Sequence, residues 1–134
     1  MEKLGERAEM AVVLDAGGLI AIDRRDRRVG AMLRVAQRER LRVRTSACVV
    51  AQVWRDGARQ ANLARALTGV DVVAVDSASA RRIGELLSRS RTADVVDAHL
   101  ALIAGAADTI VTNDESDIRR LLDARDVHAS LVIV

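Results

Sequence analysis

Four short runs of valine, leucine and isoleucine recur along the chain: AVVL at 11–14, VDVVAV at 70–75, TIVT at 109–112 and SLVIV at 130–134. Runs this short and this rich in β-branched residues suit strands buried on both faces. Between them lie longer stretches with apolar residues at helical spacing. Strands that alternate with helices pair in parallel through crossover helices. The expected fold is therefore α/β, a three-layer sandwich with a central, mainly parallel sheet flanked by helices.

Local signals refine this outline. Residues 40–44 alternate Arg-Leu-Arg-Val-Arg, the two-residue period of a half-exposed strand. Helices are expected at 17–23 and at 27–39, the latter with Val29, Leu33 and Ala36 on one face. Thr45 or Ser46 caps a helix holding Cys48, Val49, Gln52, Val53 and Trp54. Another runs 58–68, stopped by Gly69. Asp76 or Ser77 caps the helix carrying Ile83, Leu86 and Leu87. Thr92 caps an apolar helix at about 93–106, and Asp114 opens a last one reaching about 124. Residues 1–134 read as a single domain, with 1–10 a flexible polar leader.

Composition narrows the function classes. Half of the 134 residues are hydrophobic, yet there is no Phe, Tyr or Pro and one Trp, so the core is aliphatic. A nucleic acid would not be held here by aromatic stacking. The net charge of +2 is too small to prove a polyanionic partner. The grouping says more: Arg24, Arg25, Arg27 and Arg28 form one cluster, and Arg38, Arg40, Arg42 and Arg44 another. Guanidinium forks suit phosphate oxygens, while a solvated basic face accounts for such runs equally well. Cys48 is alone, which excludes an internal disulfide and fits a reducing compartment. MEKLGERAEM has no signal-like apolar stretch, and segment 11–22 is too short to span a bilayer. A soluble, cytoplasmic protein is expected, with no membrane partner.

The aspartates supply the chemistry. Asp15 ends the first strand, and Asp114 lies two residues beyond the strand ending at Thr112, so both belong at the carboxyl rim of the sheet, where sites form. Asp94 and Asp97 are three apart and share a face if both are helical. Leu100 and Ala101 continue that stripe, which turns it toward the sheet. Each acid also has a plainer role as a cap or a first-turn residue. Asp97, within Val95-Val96-Asp97-Ala98, is the hardest to explain that way. Two carboxylates about 4 Å apart repel by about 4 kcal/mol at an effective dielectric of about 20. A convergent set therefore implies a divalent cation, for which hard oxygen ligands are suited.

Other chemistries fit poorly. His99 and His128 pair with no second His or Cys at zinc spacing and read as structural. Nucleophile elbows and phosphate-cradling glycine loops are missing, and Ser46 and Ser116 lack an evident base. A receiver-type signalling domain also carries aspartates at strand ends, but it wants a lysine near the late strand, and Lys3 is the sole lysine.

VVLDAGGLIAI, AQVWR, TADVVDAHLALIA and IVTNDESDI, in this order from about Val12 to Asp117, resemble the PIN-domain ribonucleases, and among them the VapC-type toxins of type II toxin–antitoxin pairs. The resemblance implies a PIN-like fold and a metal-dependent endoribonuclease that hydrolyses RNA phosphodiester bonds with Mg²⁺ or Mn²⁺. The family's first, third and fourth acids fall on Asp15, Asp97 and Asp114. Asp15 and Asp97 would hold the principal ion and Asp114 would orient it or a water, with Asp94 as an accessory catalytic acid. Thr112 matches the family's small hydroxyl residue and, with Asp117, would orient a carboxylate or phosphate. The resemblance also implies an RNA substrate, a small antitoxin occluding the acidic pocket, and a homodimer. One position departs: Gln52 in AQVWR stands where the family's second acid is commonly a glutamate. It keeps the length and loses a charge, so the alternative is a catalytically weakened PIN-like domain that binds RNA or protein.

Overall fold

The structure is a computed structural model and describes residues 10–134; nearly all of the expected leader lies outside the described residues. Strand β1 (Ala11–Leu14) is buried throughout and occupies the centre of a five-stranded sheet. It is followed by α1 (Ala16–Asp23) and α2 (Arg27–Arg38), then β2 (Arg42–Ser46), α3 (Ala47–Val53), α4 (Ala61–Leu67) and β3 (Asp71–Val73). The second half comprises α5 (Ser77–Ser90), α6 (Val95–Ile103), β4 (Thr109–Thr112), α7 (Glu115–Ala124) and β5 (Ser130–Ile133).

All four strand pairings are parallel, in the order β3-β2-β1-β4-β5. The expected mainly parallel sheet is thus wholly parallel. The chain winds outward from β1 to β3 and then returns to place β4 on the other side of β1. Helix α1 packs against α2, α3 and α4, while α5, α6 and α7 pack on one another. Aliphatic side chains fill both layers, with Leu14, Leu19, Leu63, Leu86, Leu100, Ile110 and Leu121 all almost wholly buried. At about 25 cal/mol per Å² of apolar surface, burial of this kind is the main favourable term.

Several boundaries differ from the sequence-based expectation, and each has a local cause. The strand expected at 40–44 lies at Arg42–Ser46 because Arg40 adopts a left-handed φ of 57° at the end of α2. Strand β3 stops at Val73, where its partner β2 ends at Ser46 and turns into α3. The helix expected at 58–68 begins at Ala61. Gln60 stitches the preceding turn: its Oε1 accepts from the N–H groups of Arg55 and Asp56 at 2.7 and 3.0 Å, and its Nε2 donates to the Val53 carbonyl at 2.9 Å.

Thr92 does not cap α6. Its hydroxyl pairs with Ser90 Oγ at 2.7 Å, Arg91 turns with φ 57°, and Asp94 is the cap. The far end of α6 is closed by Arg125, which donates to the carbonyls of Ala101 and Ala104 at 2.6 and 2.9 Å. A cation there satisfies orphan carbonyls and complements the helix dipole.

Asp108 pins the amino end of the sheet. It is buried, and its two carboxylate oxygens accept from the N–H groups of Ala11 and Gly105, both at 2.8 Å. One side chain thus fixes the start of β1 and the turn before β4. Replacing it by alanine leaves two donors without acceptors. Asp108→Ala is expected to lower stability by about 2–4 kcal/mol in urea unfolding, and an unchanged midpoint would refute this role.

Candidate metal centre at the switch point

Strand order reverses between β1 and β4, and open parallel sheets bind ligands just beyond such a point. Asp15 leaves β1 at this crevice. Its backbone N–H still reaches the Val111 carbonyl at 3.0 Å, so it remains tied to the end of β4. The Asp15 carboxylate is buried and doubly held: Oδ1 accepts from Ala16 N at 2.7 Å and Oδ2 from the Thr112 hydroxyl at 2.6 Å. The plainer role of Asp15 as an N-cap is thus real and coexists with its place at the rim. Thr112, fully buried, accepts in turn from Asp114 N at 2.9 Å. Its hydroxyl aligns the carboxylate ending β1 with the backbone that carries Asp114.

Asp114 and Asp117 open α7. Asp114 occupies the N-cap position, yet its side chain makes no capping hydrogen bond. Asp97 comes from α6, in the first turn beyond its cap, and is 8% exposed. Asp97, Asp114 and Asp117 each present an oxygen within 4.8 Å of the others. Asp15 is not part of that tight trio, but its charge is felt at Asp97. Asp94 lies outside the helix proper: its side chain caps α6 by accepting from Asp97 N at 3.0 Å. The expectation that Asp94 and Asp97 share a helical face therefore gives way to a cap and its third residue.

The electrostatics follow from this crowding. Burial, then the charges of Asp94, Asp15, Asp114 and Asp117, push the Asp97 carboxyl up to about 7. Burial and the facing Asp117 carboxylate also raise Asp114. Carboxyls held above their usual range lack a counter-charge, and the donor set consists only of hard oxygens. Both features fit Mg²⁺ or Mn²⁺.

Gly17 and Gly18 let α1 pack against this rim. A Cβ on Gly17 would lie 2.9 Å from both Cγ and N of Asn113, and one on Gly18 would lie 3.2 Å from the Val111 carbonyl oxygen. The glycine pair reads in sequence as a turn, whereas it serves close approach of helix to strand end. Gln52 is exposed on α3 and makes no side-chain hydrogen bond among the described residues.

Sequence reasoning also missed a buried contact. Ser46 Oγ lies 2.6 Å from His99 Nδ1, so Ser46 does have a base within reach. Both groups are sealed from solvent, and Ser46 Oγ also accepts from Cys48 N at 3.0 Å as the cap of α3. The hydroxyl and Nδ1 share one hydrogen bond, whose direction follows the imidazole tautomer. Burial lowers the His99 pKa, consistent with a neutral ring. The pair ties α6, which carries Asp97, to the start of α3. Fifty-three residues separate its members, too many for any local signal.

No family model and no curated protein matches the chain. Among solved structures, a chain of VapBC2 from Rickettsia felis, crystallised bound to a DNA fragment from their promoter, superposes with a TM-score of 0.68 at 16% identity. The match covers 92% of this chain and 99% of that one. The fold is PIN-like. In this PIN-like frame the acids stand at the rim where β1 and β4 part.

A carboxyl that binds its proton more tightly when folded stabilises the fold at low pH. That contribution is lost as pH rises from the ordinary value of 3.8 through about 7. Without divalent cations, raising the pH from about 5 to about 8 is expected to lower stability by about 1–2 kcal/mol from Asp97, after allowing for solvent screening at the rim. Thermal unfolding in chelator should show this slope, and Asp97→Asn should flatten it. An equal slope in both proteins would disprove the assignment.

Proposed function

We propose that the protein is a metal-dependent endoribonuclease and the toxin of a toxin–antitoxin pair. The observation that carries this reading is the convergence of Asp97, Asp114 and Asp117 beside Asp15 at the strand-order reversal of a PIN-like sheet. The similarity to a VapBC2 chain supports the toxin–antitoxin setting. By the same reading the chain is one domain, works in the cytoplasm and self-associates as a dimer. Its acidic crevice is closed by a small antitoxin. No helix among the described residues is long and apolar enough to cross a membrane.

Asp97, Asp114 and Asp117 would hold Mg²⁺ or Mn²⁺, with Asp15 completing the negative field. The chemistry supplied by that ion is activation of water and neutralisation of charge on the phosphate. The remaining work belongs to the chain. Thr112 donates to Asp15 Oδ2 and so fixes the orientation of that carboxylate at the rim. Asp94 holds the first turn of α6 and with it the position of Asp97. Asp97, whose carboxyl is pushed up to about 7, would have to be ionised to hold the ion.

Gln52 favours a second reading, a PIN-like module that binds RNA or protein with little catalysis. An exposed amide at that place contributes no negative charge to the centre.

Purified protein incubated with structured RNA and Mg²⁺ or Mn²⁺ is expected to cut it, and chelator to stop the reaction. Asp97→Asn should lower the rate by about 100-fold or more, the scale seen when a principal electrostatic group is removed. Cleavage that persists unchanged in Asp97→Asn would refute the site. An inactive wild type that becomes active as Gln52→Glu would establish the second reading.

A further inference from the structure

A carboxylate cluster repels a phosphodiester even with a divalent ion in place. Asp15, Asp94, Asp97, Asp114 and Asp117 bring up to five negative charges against the ion's two. An RNA strand lying across them therefore needs cations of the protein on both sides.

The arginines are not equivalent candidates. Arg42 and Arg44 are occupied by Asp71, at 2.6 and 3.3 Å. Arg38 and Arg40 line a depression with Met10 and Leu41, at the amino end of the sheet and away from the acids. The second arginine group of the sequence therefore does not face the site. Arg55 donates to the Ala51 and Trp54 carbonyls, Arg59 lies beside Asp56, Arg125 closes α6, and Arg28 donates to the Ile133 carbonyl.

Three others line depressions that share Asn113, next to Asp114. Arg119 and Arg120 line a depression of about 730 Å³ with Asn113 and Asp114, and Glu115 and Asp123 also border it without pairing to either guanidinium within 4 Å. Arg24, at the end of α1, lines one of about 450 Å³ with Gly17 and Asn113. Asn113 belongs to both, so the two depressions meet beside Asp114. Arg24, Arg119 and Arg120 are exposed, and among the described residues none has a carboxylate within ion-pair distance. Asp26, also at the second depression, accepts from Val29 N through Oδ1 as the cap of α2 and makes no ion pair with Arg24 within 4 Å.

We propose that Arg24, Asn113, Arg119 and Arg120 form a track for the RNA backbone, which enters on one side of Asp114 and leaves on the other. The inference rests on the nuclease reading and adds which groups bind the substrate. Groups of this kind grip phosphates and carry no base information, so the effect is uniform across RNA sequences.

The test replaces Arg24, Arg119 and Arg120 by alanine, singly and together, with Arg38→Ala as a charge-matched control. KM and kcat are read on a labelled RNA. Binding to the same RNA is read by anisotropy in the Asp97→Asn background over a series of salt concentrations. Each single change should raise KM about threefold or more with kcat within about twofold, and the triple about 30-fold. The slope of log Kd against log salt should fall by about 0.7 for each phosphate that is no longer neutralised. Arg→Lys at each position should restore most of the binding, and Arg38→Ala should change little. An unchanged KM and Kd in the triple variant overturns the track, as does an equal loss in Arg38→Ala. Loss of binding to an acidic peptide with unchanged RNA affinity also overturns it, by giving these arginines to a protein partner. If no form cleaves RNA, the nuclease reading fails by itself, and the anisotropy arm still decides the track.

Discussion

One hydroxyl group holds the two halves of the site in register. Thr112 ends β4, donates to the carboxylate that ends β1 and accepts from the backbone of Asp114. Ninety-seven residues separate Thr112 from Asp15, yet the bond is 2.6 Å long and buried. A charge-assisted hydrogen bond of this kind is about twice as strong as a neutral one. Everything that gathers at the rim depends on β1 and β4 ending together, and this contact is where they are tied. Asp108 performs the matching task at the opposite end of the same two strands.

Two buried aspartates thus have opposite uses. Asp108 gives both oxygens to backbone donors, which satisfies its charge locally and makes it a structural pin. Asp97 is surrounded by other carboxylates, and its charge is opposed instead of satisfied. Buried acids of the first kind explain themselves. Those of the second kind require a cation or a proton from outside the carboxylate set. That contrast, more than the number of acids, separates the crevice from the rest of the molecule.

Much of this is legible in the sequence. Strands AVVL, TIVT and SLVI follow from unbroken apolar runs, and parallel pairing follows from the helices between them. The placement of Asp15 and Asp114 at one rim follows from strand ends alone. Other features depend on contacts between distant segments and leave no local mark. The role of Asp108, the bond from Ser46 to His99 and the closure of α6 by Arg125 are of that type. Displaced boundaries trace to backbone conformation: Arg40 and Arg91 take left-handed φ values that their side chains do not advertise. The arginine groups show the same limit, because charge runs reveal that cations exist but not which of them already have partners.

Strand β5 is an edge, and its pairing to β4 leaves the Ile133 carbonyl pointing away from the sheet, since the N–H of the next residue, Val134, reaches back to Thr112. Arg28 covers that outward oxygen at 3.0 Å. The opposite edge, β3, is only three residues long. Exposed edges invite strand addition and runaway stacking of copies. A guanidinium on one border and brevity on the other give this small, tyrosine-free and phenylalanine-free sheet a defence against fibrous growth.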